Sequence, residues 1–344
     1  MFVLEPYLPD IWLFIIGFFL LYYAIADGFD LGVGIISIFS RDDAERGLLM
    51  GSIQSIWHDN ETWLVLLGGM LFGAFPVFYG LVLSALYIPI LIMLFGLMFR
   101  GVAFEFRNLA VQKPFWSLAF GVGSLIVTLA QGLALGGLIG GIEIREGQFA
   151  GSEWAWLNPF SALVAAGVLC GYIMLGANYL IVKTEGDLQL RSIRYALAAS
   201  LATLGIAVSA HIWSTLMHPH VIKKWVGTTA PYGMMAFLLL AVFGFVMLFR
   251  SLLKRQEGQP LIWNIVIILS SFTALSIGLY PQMIPPVSVT APLTVHAAAA
   301  SPMTLKFMLA VTALLLPVIL TYTSYKHRVF RGKVKPEGYE SVNG

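Results

Sequence analysis

Seven ionisable side chains stand where an apolar chain should have none: Asp27, Asp30, His58, Asp59, Glu61, Arg100 and Glu105. Three of them share the stretch "IWHDNETW", residues 56–63, flanked by Trp57 and Trp63. From Thr62 to Phe99 the chain then runs 38 residues without a charge. Carboxyl and imidazole groups inside a membrane are costly, and they mark proton or ion routes or structural pairs. Both chemistries fit the residue types. Asp27, Asp30, Asp59, Glu61, Glu105 and His58 could relay protons, because a desolvated carboxyl is readily tuned for that task. Equally, Asp30 or Glu61 could pair with Arg100 and lock two helices together, with Trp57 and Trp63 as packing anchors.

The elements that hold these residues follow from composition. The chain has 344 residues, of which 58% are hydrophobic and 11% charged, against about 25% charged for a soluble domain. Its mean hydropathy is +0.84. The reading is an all-α polytopic membrane protein. The start "MFVLEPYLPD" has neither a basic region nor a cleavage site, so no removable leader is expected. The net charge of +2 points to no nucleic-acid partner, since the basic residues are spread over loops. Cys170 is the single cysteine and reads as a small packing residue.

Nine spans are predicted, at 11–39, 51–75, 78–107, 115–141, 155–183, 191–217, 231–253, 260–281 and 303–328. The uncharged run of 38 residues would make one helix about 57 Å long, nearly twice a hydrocarbon core of about 30 Å. It must fold back, and Pro76 is the best break. Residues 62–75 then reach only about 21 Å. The second span has to recruit "IWHDNETW", which draws the acids into the membrane. With the N-terminus outside and the C-terminus inside, 16 of the 20 Lys and Arg residues fall on the inner side. The expected organisation is one membrane domain. A four-helix unit at 11–141 is followed by a second at 155–281, a ninth helix at 303–328 and a cytoplasmic tail at 329–344.

Counting along the helices puts Asp27 and Asp59 each 16 residues from the outer face, roughly 24 Å deep. Asp27 and Asp30 share one helix face. Glu61 points nearly opposite Asp59. Glu105 lies closer to the cytoplasm, at the mouth of a route that continues to Asp59 with His58 and then deeper. The histidines are His58, His211, His218, His220, His296 and His327. His58 near the inner face and His211 near the outer end of its helix cannot share an iron. "MHPH" at 217–220 reads as a solvated loop rather than a metal site. No haem ligand and no metal site are expected in this chain.

Several stretches resemble subunit II of the cytochrome bd-type quinol oxidases, including the closely related cyanide-insensitive variant. They are "ADGFDLGVG" (26–34), "RDDAERGLLMGSI" (41–53), "WHDNETWL" (57–64), "GAFPVFY" (73–79) and "FRGVAFEFR" (99–107), then "WLNPFSALVAAGVLCGY" (156–172), "KTEGDLQLR" (183–191), "YPQMIPP" (280–286) and "PVILTYTSYKHRVFRGKV" (317–334). The resemblance implies a two-subunit complex of the bacterial cytoplasmic (inner) membrane that reduces O₂ to water with electrons from quinol. It places two b-type haems and one d-type haem, or a b-type variant, in subunit I. This chain would have no catalytic residue of its own. It would stabilise subunit I, hold a structural quinone as some members do, and contribute to cytoplasmic proton uptake along the subunit interface. A small accessory transmembrane subunit is a further partner in that picture. The family's acid in "FRGVAFEFR" carries over to Glu105. Its acid in the Trp-Asp-(Gly/Ala)-Asn segment does not carry over cleanly, because the order here is Trp57-His58-Asp59-Asn60. One step along a helix turns the side chain by about 100°. Either Asp59 faces a different neighbour or His58 takes the relay role. On the residues alone, a proton-coupled secondary transporter and a purely structural partner subunit are the competing classes.

Overall fold

The computed structural model describes residues 2–217, 230–285 and 292–334. Among them the chain is almost wholly helical. A 3₁₀ turn at Phe2–Tyr7 leads into α1 (Leu8–Ile38), followed by α2 (Asp43–Ile53), α3 (Trp57–Ala74), α4 (Pro76–Leu109) and α5 (Lys113–Gly140). A two-stranded hairpin, β1 (Ile144–Arg145) and β2 (Gln148–Phe149), precedes α6 (Pro159–Lys183) and α7 (Gly186–Met217). Then come α8 (Ala230–Leu253), α9 (Gln259–Leu279), the one-turn α10 (Val295–Ala298) and α11 (Pro302–Val329). Eight of these helices are long and apolar enough to cross a membrane: α1, α4, α5, α6, α7, α8, α9 and α11.

The predicted second span, 51–75, is not one helix. It divides at Gln54–Ile56 into the end of α2 and the whole of α3. Asp42 caps α2, its carboxylate accepting from the Glu45 N–H at 2.8 Å, which starts a separate short helix upstream. α3 is 18 residues long and carries the polar "WHDNET" in its first two turns. The fold-back at Pro76 is where it was expected. Phe75 leaves helical geometry at φ −133°, ψ 63°, and Pro76 opens α4 at a position where its missing N–H costs nothing. Inside α4, Leu86 is non-helical just before Pro89, a kink with an identifiable cause. The hairpin between α5 and α6 was not foreseen. His218, His220, Lys223 and Lys224 lie outside the described residues.

α1 packs against α3, α5 and α6, and α4 packs on α5. On the other side α6 packs on α7 and α9, and α8 on α9. α11 lies against α3 and α1. The closest approach is between α1 and α6: a Cβ on Gly32 would sit 1.9 Å from the Tyr172 carbonyl oxygen, and one on Gly176 would sit 2.5 Å from the Gly32 carbonyl carbon. Only glycine fits at that crossing. At one end of the bundle, ion pairs tie α2 to its neighbours. Arg191 pairs with Glu45, Arg107 with Asp43 at 3.1 Å, and Arg41, just before α2, with Asp187 at 2.6 Å. The chain after α11 returns to the same end. Val334 N–H donates to the Lys183 carbonyl at 2.9 Å and Lys333 reaches Glu257 at 2.7 Å. Hydrogen bonds from Lys333 and Gln189 hold Glu257 below the ordinary carboxylate value.

Candidate functional site: a buried acid–arginine cluster

The glycine crossing sets α1 deep in the bundle, so Asp27 and Asp30 are both 0% exposed. α4 is brought up beside them by a second close contact, in which Gly123 of α5 leaves room for the backbone at Gly96 and Arg100. Arg100 is also 0% exposed. Its Nη2 lies 2.5 Å from Asp27 Oδ1 and 2.6 Å from Glu61 Oε1. Arg100 therefore bridges α1 and α3 through a single nitrogen. Asp30 is not a partner of Arg100 in this arrangement. It accepts from Asn60 Nδ2 at 2.8 Å, and the same Nδ2 lies 3.3 Å from the Ala26 carbonyl.

The cluster has more polar atoms than contacts. Asp27 Oδ2, Asp30 Oδ1, Asn60 Oδ1, Arg100 Nε and Arg100 Nη1 are buried with no hydrogen-bond partner among the described residues. Three carboxyl groups surround one guanidinium, a formal surplus of two negative charges in a buried place. One turn from Asp27, Tyr23 accepts from Gln131 Nε2 at 2.6 Å, and Tyr172 donates to Gln131 Oε1 at 2.8 Å. This hydroxyl–amide–hydroxyl chain links α1, α5 and α6 beside the cluster.

The other expected residues are placed elsewhere. Asp59 turns away to α11, where Lys326 Nζ stands 2.6 Å from its Oδ2, an ion pair by distance whose angle lies outside hydrogen-bond geometry. His58 is exposed and meets the Trp57 ring edge-on at 5.5 Å. Glu105 is exposed on α4, outside the cluster. Trp57 stacks on Phe104 at 5.0 Å, and Trp63 stacks on Tyr22 at 3.9 Å, so both tryptophans act as packing anchors. The sequence reading missed Asn60, Lys326, Tyr23, Gln131 and Tyr172. Gln131 had a signal, being the one side-chain amide of α5. Lys326 had none, because it counted only as a basic residue of the inner end.

His58, His211, His296 and His327 are each exposed and stand on four different helices. His296 lies 3.3 Å from Asp10, and His327 Nδ1 lies 2.9 Å from the Thr323 carbonyl. Residues 8–330 match the family model described as cytochrome bd terminal oxidase subunit II. The chain belongs to this family. As a subunit II chain it is 30% identical over 366 residues to cytochrome bd-I ubiquinol oxidase subunit 2 of Escherichia coli (strain K12), covering 96% of each protein. It is 28% identical over 336 residues to cytochrome bd ubiquinol oxidase subunit 2 of Bacillus subtilis (strain 168), covering 95% of this chain and 97% of that one. Its fold matches a chain of the bd oxidase from Geobacillus thermodenitrificans with a TM-score of 0.76 and 18% identity, over 94% of this chain and 98% of the other.

Proposed function

We propose that this chain stabilises subunit I of a bd-type quinol oxidase and contributes to that complex's cytoplasmic proton uptake. The chain is a multi-pass protein of the bacterial inner membrane and a subunit of a quinol:oxygen oxidoreductase complex. The observation that carries the proton reading is the buried surplus of carboxyl groups around Arg100. Ionisable groups gathered at such a place are costly and mark proton or ion routes. Asp27 and Asp30 form its floor. Glu105, at the end of α4 that also carries Arg107, would collect protons at the cytoplasmic mouth.

The topology belongs to the same reading. α3 is taken as the ninth span, with the N-terminus outside and the C-terminus inside. Helices α1, α3, α4 and α5 form one unit, α6 to α9 a second, and α11 is the added ninth helix, set against α3 and α1. The haems, two of b type and one of d type or a b-type variant, are assigned to subunit I, where they supply the oxygen chemistry. The exposed histidines described above support that assignment. A structural quinone has room in the apolar cavity of about 420 Å³ lined mainly by α7, α8 and α9, with His211, Ser214, Thr215 and Ser271 as its polar groups. The exposed flank of α4, with Leu91, Phe95 and Met98, is the proposed docking face for subunit I. A small accessory transmembrane subunit could sit on the largely uncovered α11.

The test is to purify the complex, measure haem content and quinol-driven O₂ consumption, and repeat with Asp27→Asn and Glu105→Gln. Slower turnover at unchanged haem content is expected for both. Unchanged turnover in both variants would leave the chain with a structural role only. Stoichiometric haem on this chain expressed alone would overturn the assignment of the haems to its partner.

A further inference from the structure

The cluster opens to the outside at one residue. Asp27, Asp30, Asn60 and Arg100 are all 0% exposed, whereas the Glu61 side chain is 24% exposed. Glu61 adjoins the outward stripe of α3, on which His58 and Val65 stand exposed, one turn before it and one turn after. The two acids of the segment therefore lead in different directions. Glu61 reaches inward to Arg100 and outward to the stripe. Asp59 faces α11 and is engaged by Lys326.

We propose that Glu61, rather than Asp59, is the proton-relay carboxylate that joins the buried Asp27–Arg100–Asp30 cluster to the exposed face of α3. His58 is its outer neighbour, and Lys326 withholds Asp59 from the route. This inference rests on the proton-uptake reading above and names the residue that the displaced "HDNE" order leaves in charge. The charged groups facing Glu61 are Arg100 from α4, Asp27 and Asp30 from α1, and His58 from its own helix. From α11, Lys326 faces Asp59 instead.

The step needs only a proton. One that arrives from the His58 side binds a Glu61 oxygen and ends its ion pair with Arg100 Nη2. The guanidinium stays paired with Asp27. The proton then leaves Glu61 for Asp30 Oδ1, a cluster carboxylate oxygen without a hydrogen-bond partner among the described residues. Glu61 returns to Nη2 as a carboxylate. The Arg100 bridge thus keeps the inner acid fixed while the outer one cycles.

The experiment uses the assembled two-subunit complex with Glu61→Gln, Glu61→Asp, Asp59→Asn, Lys326→Met and Asp27→Asn. Haem per complex, quinol-driven O₂ consumption across pH and proton uptake are measured for each. Glu61→Gln is expected to slow turnover by roughly tenfold or more, the low end of what a positioned proton-transfer group contributes, with haem unchanged. Glu61→Asp should recover part of the rate with a displaced pH profile, which a merely structural role would not produce. Asp59→Asn and Lys326→Met should stay within about twofold, below the range of such a group. Asp59→Asn slowing turnover as much as Glu61→Gln overturns the proposal, and so does normal turnover in Glu61→Gln. If Glu61→Gln does not assemble, Glu61→Asp decides: a wild-type pH profile and rate overturn the proposal, and a displaced profile supports it. A slow Asp27→Asn beside a normal Glu61→Gln sinks this inference alone. Normal turnover in both sinks the proton-uptake reading with it.

Discussion

Arg100 uses one nitrogen for two carboxylates, while its Nε and Nη1 have no hydrogen-bond partner among the described residues. The planar fork that usually distinguishes arginine from lysine is therefore not exploited here. Removing the charge is another matter. Arg100→Leu leaves Asp27 buried without its cation, and breaking a buried pair in this way costs about 3–5 kcal/mol. The expected outcome is loss of assembled complex, read as haem per membrane protein and a lowered melting temperature. Arg100→Lys keeps one ammonium for the two acids and removes two unpaired donors, so it should assemble far better than Arg100→Leu. Equal loss in both variants would show that the guanidinium is needed for a contact other than these two. At this scale the sequence was partly legible. Intramembrane acids beside a lone arginine announced pairing, and Glu61 with Arg100 was one of two pairings left open. Their choice of partner was not legible, because it depends on helix rotation. Asn60 rather than Arg100 holds Asp30, and Lys326, 267 positions after Asp59, holds the neighbouring acid.

The helices themselves were legible from length and hydropathy, and the break at Pro76 from the physics of a run too long for one membrane crossing. The misreading of 51–75 has a local cause. Asp42 and Glu45 provide the cap of a separate short helix, and the turn at Gln54–Ile56 contains neither Gly nor Pro to announce it. The glycines of "ADGFDLGVG" have their reason at the element scale too, and it is steric. At Gly32 even one methyl group meets the backbone of α6 at 1.9 Å, whereas a Cβ on Gly205, also within a helix, meets nothing within 4 Å. Gly32→Ala should therefore separate α1 from α6, at a cost of about 1–3 kcal/mol or more for forced overpacking. Gly205→Ala should be neutral or stabilising by up to about 1 kcal/mol through helix propensity. Thermal melting of the two purified variants, with haem content alongside, checks the contrast. A Gly32→Ala protein as stable as Gly205→Ala would mean that the two helices can slide apart without loss, and the crossing would not be what positions Asp27 and Asp30.

At the scale of the molecule, α1 is the hub, and the acids it carries are sealed by α3, α5 and α6 packed against it and by Arg100 from α4. Beside them, His58 and Val65 stand exposed on α3, and Leu91, Phe95 and Met98 on α4. Burial cannot say by itself whether lipid or protein covers such a flank, since apolar side chains suit both. The acids break the tie. Glu61 is partly exposed there and Glu105 is exposed on α4, and an ionisable group facing lipid is expensive. A protein partner with polar groups or a hydrated seam satisfies them, and a subunit II chain has such a partner in subunit I. The flank formed by α8 is the useful contrast, because Phe243 and Val246 are exposed on it and the nearest ionisable residue of that helix, Arg250, lies a turn beyond them at its far end. A photo-crosslinking amino acid at Phe95 or Met98 should therefore join this chain to subunit I in the assembled complex. The same probe at Phe243 or Val246 should capture lipid and give no protein adduct. Bands of the combined mass from the first pair only would place the partner against the opening of the acid cluster. Adducts to subunit I from Phe243 and Val246, with none from Phe95 and Met98, would move the interface to α8. Glu61 and Glu105 would then face lipid, and neither could serve a proton route between the two subunits.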